Sequence, residues 1–249
     1  MSAQLWLRRL QPNPKARFRL FCFHFAGGSA SAYRTWPAVM SAIRADVEVC
    51  AIQLPGRENR IRESPFTQTT PLVSTLSNVL QSEFDRPFAF FGHSMGAIVA
   101  YELAQSLQRT GSSHLKHLFV SGRRAPFLDE RMPLLHQIRG DEAFLRGIQQ
   151  RYNNLPEFLL QDAELQALFL PLLRADFTLV ETYRPSSLAP LPCPVTVLGG
   201  DGDPVANQGE LEAWRTLTKG GFALHLFPGD HFYLQKHTSM LIEKIAGAF

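Results

Sequence analysis

The sequence predicts an α/β fold, in which a mostly parallel central sheet is flanked by helices. Short apolar segments alternate with longer amphipathic ones along the chain, as in repeated βα units. Turns rich in glycine or proline follow several of the apolar segments, where strands would end. With 249 residues, of which 45% are hydrophobic, the chain can form one substantial core. We therefore expect a single domain over residues 1–249.

The individual elements are predicted from these segments in chain order. Predicted strands span residues 19–25, 47–52, 88–91, 115–121, 194–198 and 222–227. Predicted helices span residues 33–43, 72–84, 97–108 and 238–246.

The strand pattern is absent between residues 124 and 185. Residues 141–150, 157–160 and 163–177 are predicted to be helical, with a kink at Pro171. We expect a helical lid at about residues 125–185, inserted between two strands and covering the carboxyl edge of the sheet. The alternative is a set of further peripheral helices.

Residues 92–96, Gly-His-Ser-Met-Gly, match the pattern G-x-S-x-G. The match lies between a predicted strand and a predicted helix, which is the setting of the nucleophile elbow in the α/β-hydrolase fold. A serine on so sharp a turn has a strained backbone, and Gly92 and Gly96 can approach each other because they carry no Cβ. The sequence therefore predicts the α/β-hydrolase fold, with Ser94 as nucleophile and the following helix directing its positive end at the reacting centre.

A serine hydroxyl needs a neighbouring base, and the order in this fold is serine, acid, histidine. His231 follows the last predicted strand and is the expected base. Asp203 and Asp201 both follow the preceding strand. We favour Asp203 because it lies three residues after Gly200, and Asp201 stays the alternative. Asp230 is a poor partner because adjacent side chains in an extended loop point apart.

The tetrahedral intermediate needs two backbone amides as an oxyanion hole. Met95, directly after the nucleophile, is the first expected donor. The second is expected from the glycine-containing loop after the first strand, where we choose Ala26 over Phe25 and Gly27. We expect His24 in the same loop to be an ordinary hydrogen-bonded histidine.

Composition excludes several other classes of protein. The net charge is +3 and no segment concentrates lysine and arginine, so no nucleic-acid partner is expected. No apolar segment is long enough to span a membrane, no signal peptide is indicated, and a cytoplasmic location is expected. The three cysteines, Cys22, Cys50 and Cys193, are widely spaced, which indicates neither a disulfide framework nor a zinc site, and Cys22 and Cys50 lie in apolar strand-like segments where buried thiols are expected.

Four separated segments carry a resemblance to a known family. They are residues 24–30 (His-Phe-Ala-Gly-Gly-Ser-Ala), 53–58 (Gln-Leu-Pro-Gly-Arg-Glu), 92–97 (Gly-His-Ser-Met-Gly-Ala) and 229–232 (Gly-Asp-His-Phe). Together they resemble the type II (editing) thioesterases of nonribosomal peptide and polyketide synthesis. Residues 172–177 and 181–183 are similar to the cap region of that family, so the resemblance covers nearly the whole chain.

This resemblance implies an enzyme that acts on carrier proteins and hydrolyses the thioester on their phosphopantetheine arm. It implies Ser94 as nucleophile, His231 as base, Asp203 as acid, and the amides of Met95 and Ala26 as oxyanion donors. It implies no metal and no organic cofactor, and we expect a monomer. Family members often have Pro-His where this chain begins the first loop with His24-Phe25, so His24 is assigned no role.

Two further questions stay open at this point. Arg57, Arg60 and Arg62 would either contact the acidic face of the carrier protein or the phosphate of its arm, or belong to a solvated basic loop, or form one structural ion pair. The rival functions are a small-molecule carboxylesterase, a catalytically silent binding protein with the same fold, and an acyltransferase.

Overall fold

The computed structural model describes residues 3–111 and 114–248. The strands are β1 Leu7–Arg8, β2 Phe18–Phe23, β3 Val47–Ile52, β4 Phe88–His93, β5 Leu115–Ser121, β6 Val195–Gly200 and β7 Phe222–Phe227. The helices are α1 Ala3–Trp6, α2 Trp36–Ile43, α3 Thr69–Val79, α4 Met95–Arg109, α5 Asp141–Tyr152, α6 Glu157–Gln161, α7 Ala163–Glu181, α8 Gln208–Glu212, α9 Tyr233–Lys236 and α10 Thr238–Ala246.

These strands form one seven-stranded sheet in the order β1-β3-β2-β4-β5-β6-β7. Only the pairing of β1 with β3 is antiparallel among the described strands. Helices cover both faces, so β3 and β4 are buried along their whole length. The predicted fold class, a mostly parallel sheet flanked by helices, is confirmed.

Alternating side chains of the central strands supply the cores on the two faces of the sheet. Along β2, Phe21 and Phe23 pack on the face covered by α3 and α4, whereas Leu20 and Cys22 pack on the face covered by α2 and α10. All three cysteines are free and buried, which confirms the predicted burial of Cys22 and Cys50.

The predicted bounds agree with the structure for β3, β5, β7 and α10. The first predicted strand ends earlier, at Phe23, because the chain then turns and the Gly28 amide donates to the Phe25 carbonyl at 2.9 Å. The predicted helix 33–43 is divided into a short 3-10 turn, Ala30–Tyr33, and α2. The sequence missed β1, α1, α8 and α9, which are too short to show a periodic pattern.

The chain between β5 and β6 forms α5, α6 and α7 without a strand in the described residues, and we call these helices the helical insertion. Pro171 lies inside α7, which continues to Glu181. The insertion has an apolar core of its own, formed by residues such as Phe144, Leu170 and Phe177. Its action as a lid stays a prediction, and residues 1, 2, 112, 113 and 249 of the predicted domain lie outside the described residues.

Parallel strands bring the segments that follow their carboxyl ends to one edge of the sheet. The turns after β4, β5 and β6 and the loop after β7 therefore lie side by side, and they carry Ser94, Gly122, Asp203 and His231. Within the described ranges, no helix combines the length and apolarity needed to cross a membrane.

Candidate active site

Ser94 lies on a sharp turn between β4 and α4. Its backbone has φ 55° and ψ −111°, a strained conformation for a residue with a side chain. The turn is held by a hydrogen bond from the Ser94 amide to the Ser121 carbonyl at 2.8 Å. A Cβ on Gly92 would lie 2.1 Å from the Gly96 carbonyl oxygen, and one on Gly96 would lie 2.0 Å from that of Phe23. Both glycines are therefore required by close packing of the backbone.

His231 is paired with Asp203. Its Nδ1 lies 2.7 Å from Asp203 Oδ2, and both side chains are almost fully buried. The second carboxylate oxygen of Asp203 accepts the Val205 amide at 2.8 Å. Asp201 is exposed and instead accepts the Gly229 amide at 3.0 Å. Of the two candidate acids, the structure therefore brings only Asp203 to His231.

The pairing determines which nitrogen of His231 is available as a base. A carboxylate accepts hydrogen bonds, so Nδ1 carries the proton and Nε2 has a free lone pair. His231 Nε2 is buried and has no hydrogen-bond partner among the described residues. Ser94 and His231 line the same cavity, although no hydrogen bond joins them in the described conformation. Such bonds are often long in the absence of substrate and shorten when it binds.

Other ring side chains pack around the imidazole of His231. The rings of His93 and Tyr152 lie with their centroids 4.9 Å and 5.0 Å from that of His231. His93 Nδ1 is 2.9 Å from Ser121 Oγ, which is 2.6 Å from the Tyr233 hydroxyl. Burial lowers the pKa of His93 well below its usual value, so this imidazole is neutral at pH 7.

Gly122, at the end of β5, leaves room for both imidazoles. Its φ is 59°, and a Cβ there would lie 2.7 Å from His93 Cε1 and 3.3 Å from His231 Cε1. Sequence reasoning missed Gly122, Tyr152 and the Ser121–Tyr233 pair. A glycine directly after a predicted strand was the one available signal, and it applies to Gly122 alone.

The predicted oxyanion donors differ in what their amides already bind. Met95 is the first residue of α4, where the amides have no acceptor within the helix. In the loop after β2, the Gly27 amide donates to Asp176 Oδ2 at 2.8 Å and the Gly28 amide donates to the Phe25 carbonyl at 2.9 Å. The amide of Gly27 is thus occupied, whereas Ala26 stays a predicted donor together with its competitor Phe25.

The histidine of the same loop has an internal partner. His24 is buried, and its Nδ1 lies 2.9 Å from the Phe25 carbonyl oxygen. Burial, together with the charge of Arg57, lowers the pKa of His24 well below its usual value. These contacts agree with a neutral, structural histidine.

A cavity of about 340 Å³ opens between the helical insertion and the sheet edge. Among the residues that line it, His231 and Tyr152 are the two with an ionisable side chain. The remaining lining is formed by Phe25, Ala26, Gly27, Gly28, Ser29, Ala32, Ser94, Ile148, Asn154, Leu155, Pro156, Leu159, Phe169, Leu173, Phe177, Val180 and Phe232. An apolar group bound to Ser94 would therefore be surrounded by carbon atoms. The described residues contain no cluster of histidine, cysteine or carboxylate side chains suited to a metal ion.

The arginines after β3 are not equivalent. Arg57 and Arg60 are buried, and both use their guanidinium groups within the protein: Arg57 pairs with Asp176, and Arg60 pairs with Glu63 and stacks on Trp6. Only Arg62 of the three is exposed. For Arg57 and Arg60 these contacts agree with the structural alternative, an internal ion pair, and contact of either residue with a carrier protein stays a prediction.

The thioesterase domain family matches residues 18–249. The chain belongs to this family. The thioesterase is 40% identical over 238 residues to the gramicidin S biosynthesis protein GrsT of Aneurinibacillus migulanus, covering 96% of this chain and 91% of that protein. It is 40% identical over 235 residues to thioesterase PikA5 of Streptomyces venezuelae, covering 94% and 82% of the two chains.

Solved structures agree with this assignment. The thioesterase superposes on the type II thioesterase BorB from the borrelidin biosynthetic cluster with a TM-score of 0.85 and 36% identity, over 98% of this chain and 97% of that one. The type II thioesterase YbtT from the yersiniabactin pathway gives a TM-score of 0.84 at 32% identity, over 98% of each chain. The family resemblance is confirmed, and the protein is an enzyme that hydrolyses acyl thioesters.

Proposed function

We propose that this thioesterase removes acyl groups from the phosphopantetheine arm of carrier proteins in nonribosomal peptide or polyketide synthesis. The names of its relatives support the pathway class. The observation that carries the chemistry is the buried Asp203–His231 pair, whose free Nε2 lies beside the apolar cavity that Ser94 also lines.

In the acylation step, Ser94 Oγ attacks the thioester carbonyl while His231 Nε2 accepts the hydroxyl proton. The carbonyl oxygen becomes an oxyanion, which the amides of Met95 and Ala26 stabilise. The C–S bond then breaks, and the pantetheine sulfur takes the proton from His231 as it leaves. The thiol is a good leaving group, so formation of the acyl-enzyme needs no metal ion.

In the deacylation step, His231 Nε2 takes a proton from a water molecule that attacks the acyl-enzyme. A second oxyanion forms in the same hole, the ester bond breaks, and the proton returns to Ser94 Oγ. The products are the free acid and the unblocked carrier arm. Throughout, Asp203 keeps the proton on Nδ1 and stabilises the imidazolium that forms transiently.

The cavity and the helical insertion support an apolar acyl group as the substrate portion that is recognised. Leu173 and Phe177 of α7 line the cavity and also pack in the core of the insertion, so movement of the insertion would change the space available to the acyl group. We propose that the insertion acts as the lid of this site. A monomeric, cytoplasmic enzyme stays the prediction of the sequence.

The test is mass spectrometry of carrier proteins loaded with a hexanoyl thioester. The wild-type enzyme should convert the acylated arm to the free thiol, Ser94→Ala should not, and Ser106→Ala in α4 should match the wild type. Faster hydrolysis of a matched oxygen ester would favour a carboxylesterase. Transfer of the acyl group to an amine or alcohol would favour an acyltransferase. A wild-type protein that a fluorophosphonate fails to label would favour a silent binding protein.

A further inference from the structure

Arg57 and Asp176 form a buried ion pair between the loop after β3 and helix α7 of the insertion. The pair is bidentate, with Arg57 Nη1 3.0 Å from Asp176 Oδ2 and Nη2 2.9 Å from Oδ1. Both side chains are nearly inaccessible to solvent, at 4% and 2% exposure. The two charges are therefore removed from water, at a cost in desolvation that close pairing offsets.

The same two side chains hold the loop that carries Ala26. Asp176 Oδ2 accepts the Gly27 amide at 2.8 Å, and Arg57 Nη1 donates to the Gly28 carbonyl at 3.2 Å. The ion pair thus binds one donor and one acceptor of two successive residues in the loop. Arg57 Nε also donates to the Pro55 carbonyl at 3.2 Å, which limits movement of the guanidinium.

The turn that the ion pair binds also sets the direction of the Ala26 amide. The Phe25 carbonyl accepts the Gly28 amide at 2.9 Å, so it points into the turn. In a trans peptide the following N–H points the opposite way, so the Ala26 amide points out of the turn. The Phe25 carbonyl also lies 2.9 Å from His24 Nδ1, so the ion pair acts on this peptide indirectly, by fixing Gly27 and Gly28, the residues that close the turn.

Gly27 is tightly enclosed by the same helix. Its φ is 74°, and a Cβ would lie 2.7 Å from Leu173 Cδ2 of α7. Leu173 of α7 therefore packs directly on the Gly27 backbone, and movement of α7 away from the loop would remove this contact together with that of Asp176.

We propose that Arg57 and Asp176 are positioning residues for the oxyanion hole, and that the hole is complete only when α7 is seated on the Ala26 loop. This inference rests on the proposed function of Ala26 as an oxyanion donor. It links the insertion to the chemical step itself, in addition to any effect on access.

The test separates positioning from stability. Replacing a buried ion pair by apolar side chains often preserves stability, so the double variant R57M/D176L removes the polar contacts without leaving a lone charge. The matched control is R174M/D141L, which removes a partly exposed ion pair between α7 and α5 and keeps an apolar side chain over Phe144. The readouts are Tm, kcat and KM on an acyl-pantetheine, and the affinity for a trifluoromethyl ketone that mimics the oxyanion.

We expect R57M/D176L to lose about 10²-fold in kcat and in ketone affinity, the effect of losing one oxyanion donor, with KM within threefold of wild type. The control should stay within threefold in every readout. A folded R57M/D176L with wild-type kcat would overturn the proposal.

If the double variant does not fold, D176N provides the second measurement. An asparagine keeps an oxygen for the Gly27 amide but loses the charge that holds Arg57. We expect a kcat about tenfold lower at unchanged KM, and a wild-type kcat would again overturn the proposal. These assays use a small acyl thioester, whereas the proposed carrier-protein function is tested on an acylated carrier protein. The two proposals can therefore fail independently of each other.

Discussion

Replacing Asp203 with asparagine should inactivate the enzyme while leaving the fold intact. Asp203 uses one carboxylate oxygen for His231 Nδ1 and the other for the Val205 amide. Because Val205 requires an acceptor, the asparagine oxygen will face Val205 and its NH₂ group will face His231. His231 Nδ1 must then accept, so the proton moves to Nε2, which can no longer take the proton of Ser94.

The expected size of the effect follows from these contacts. To accept the Ser94 proton, His231 would have to move its own proton back to Nδ1. The Nδ1–H would then face the NH₂ group of the asparagine, and two buried donors facing each other cost about 1–3 kcal/mol. The imidazolium would also lose a charge-assisted hydrogen bond, worth about 1.5–3 kcal/mol. The sum, about 2.5–6 kcal/mol, corresponds to roughly 10²–10⁴-fold in kcat.

The assay is kcat on a small acyl thioester, with Asp203→Asn compared against Asp201→Asn. The control removes the same charge two residues away, and its amide oxygen can still accept the Gly229 amide, so we expect less than a threefold change. If Asp203→Asn and Asp201→Asn lost kcat equally, the special role of the Asp203–His231 pair would be refuted. A folded Asp203→Asn within tenfold of wild type would refute it as well.

Two further predictions concern glycine geometry and pH. Gly122→Ala should lower kcat at least tenfold because the new Cβ would press on His93 and His231. The control Gly140→Ala, at φ 81° with no described atom within 4 Å of the new Cβ, should lose only the backbone cost that both variants share, about 1 kcal/mol of unfolding free energy. Similar kcat values for the two variants would contradict the steric explanation. Burial lowers the pKa of His117 from 6.5 to about 4 in the folded protein. Between these two values the unfolded chain binds a proton at His117 that the folded protein does not, so the unfolding free energy falls as pH falls. Relative to His117→Gln, the wild type should lose about 2 kcal/mol of unfolding free energy between pH 7 and pH 5 in urea titrations, and parallel pH curves would exclude this effect.

Local patterns were sufficient for the fold and for the elbow. Strand and helix periodicity is a property of neighbouring residues, and the bounds of β3, β5 and α10 agree with it. The turn at Ser94 was predictable for the same reason, because Gly92 packs on the Gly96 backbone within the same five residues, whereas the need for glycine at position 96 is also set by β2, through the Phe23 carbonyl.

The sequence by itself determined the α/β class, the family, and the expectation that Ser94, His231 and an aspartate after β6 act together. Only the tertiary structure decided that Asp203 and not Asp201 meets His231, since both lie on the same turn and packing selects the side chain that points inward. It also decided that Arg57 is buried and that Asp176 binds the Gly27 amide, 149 positions away. Contacts between such distant residues depend on how α7 packs over the sheet edge, and no local pattern carries that information.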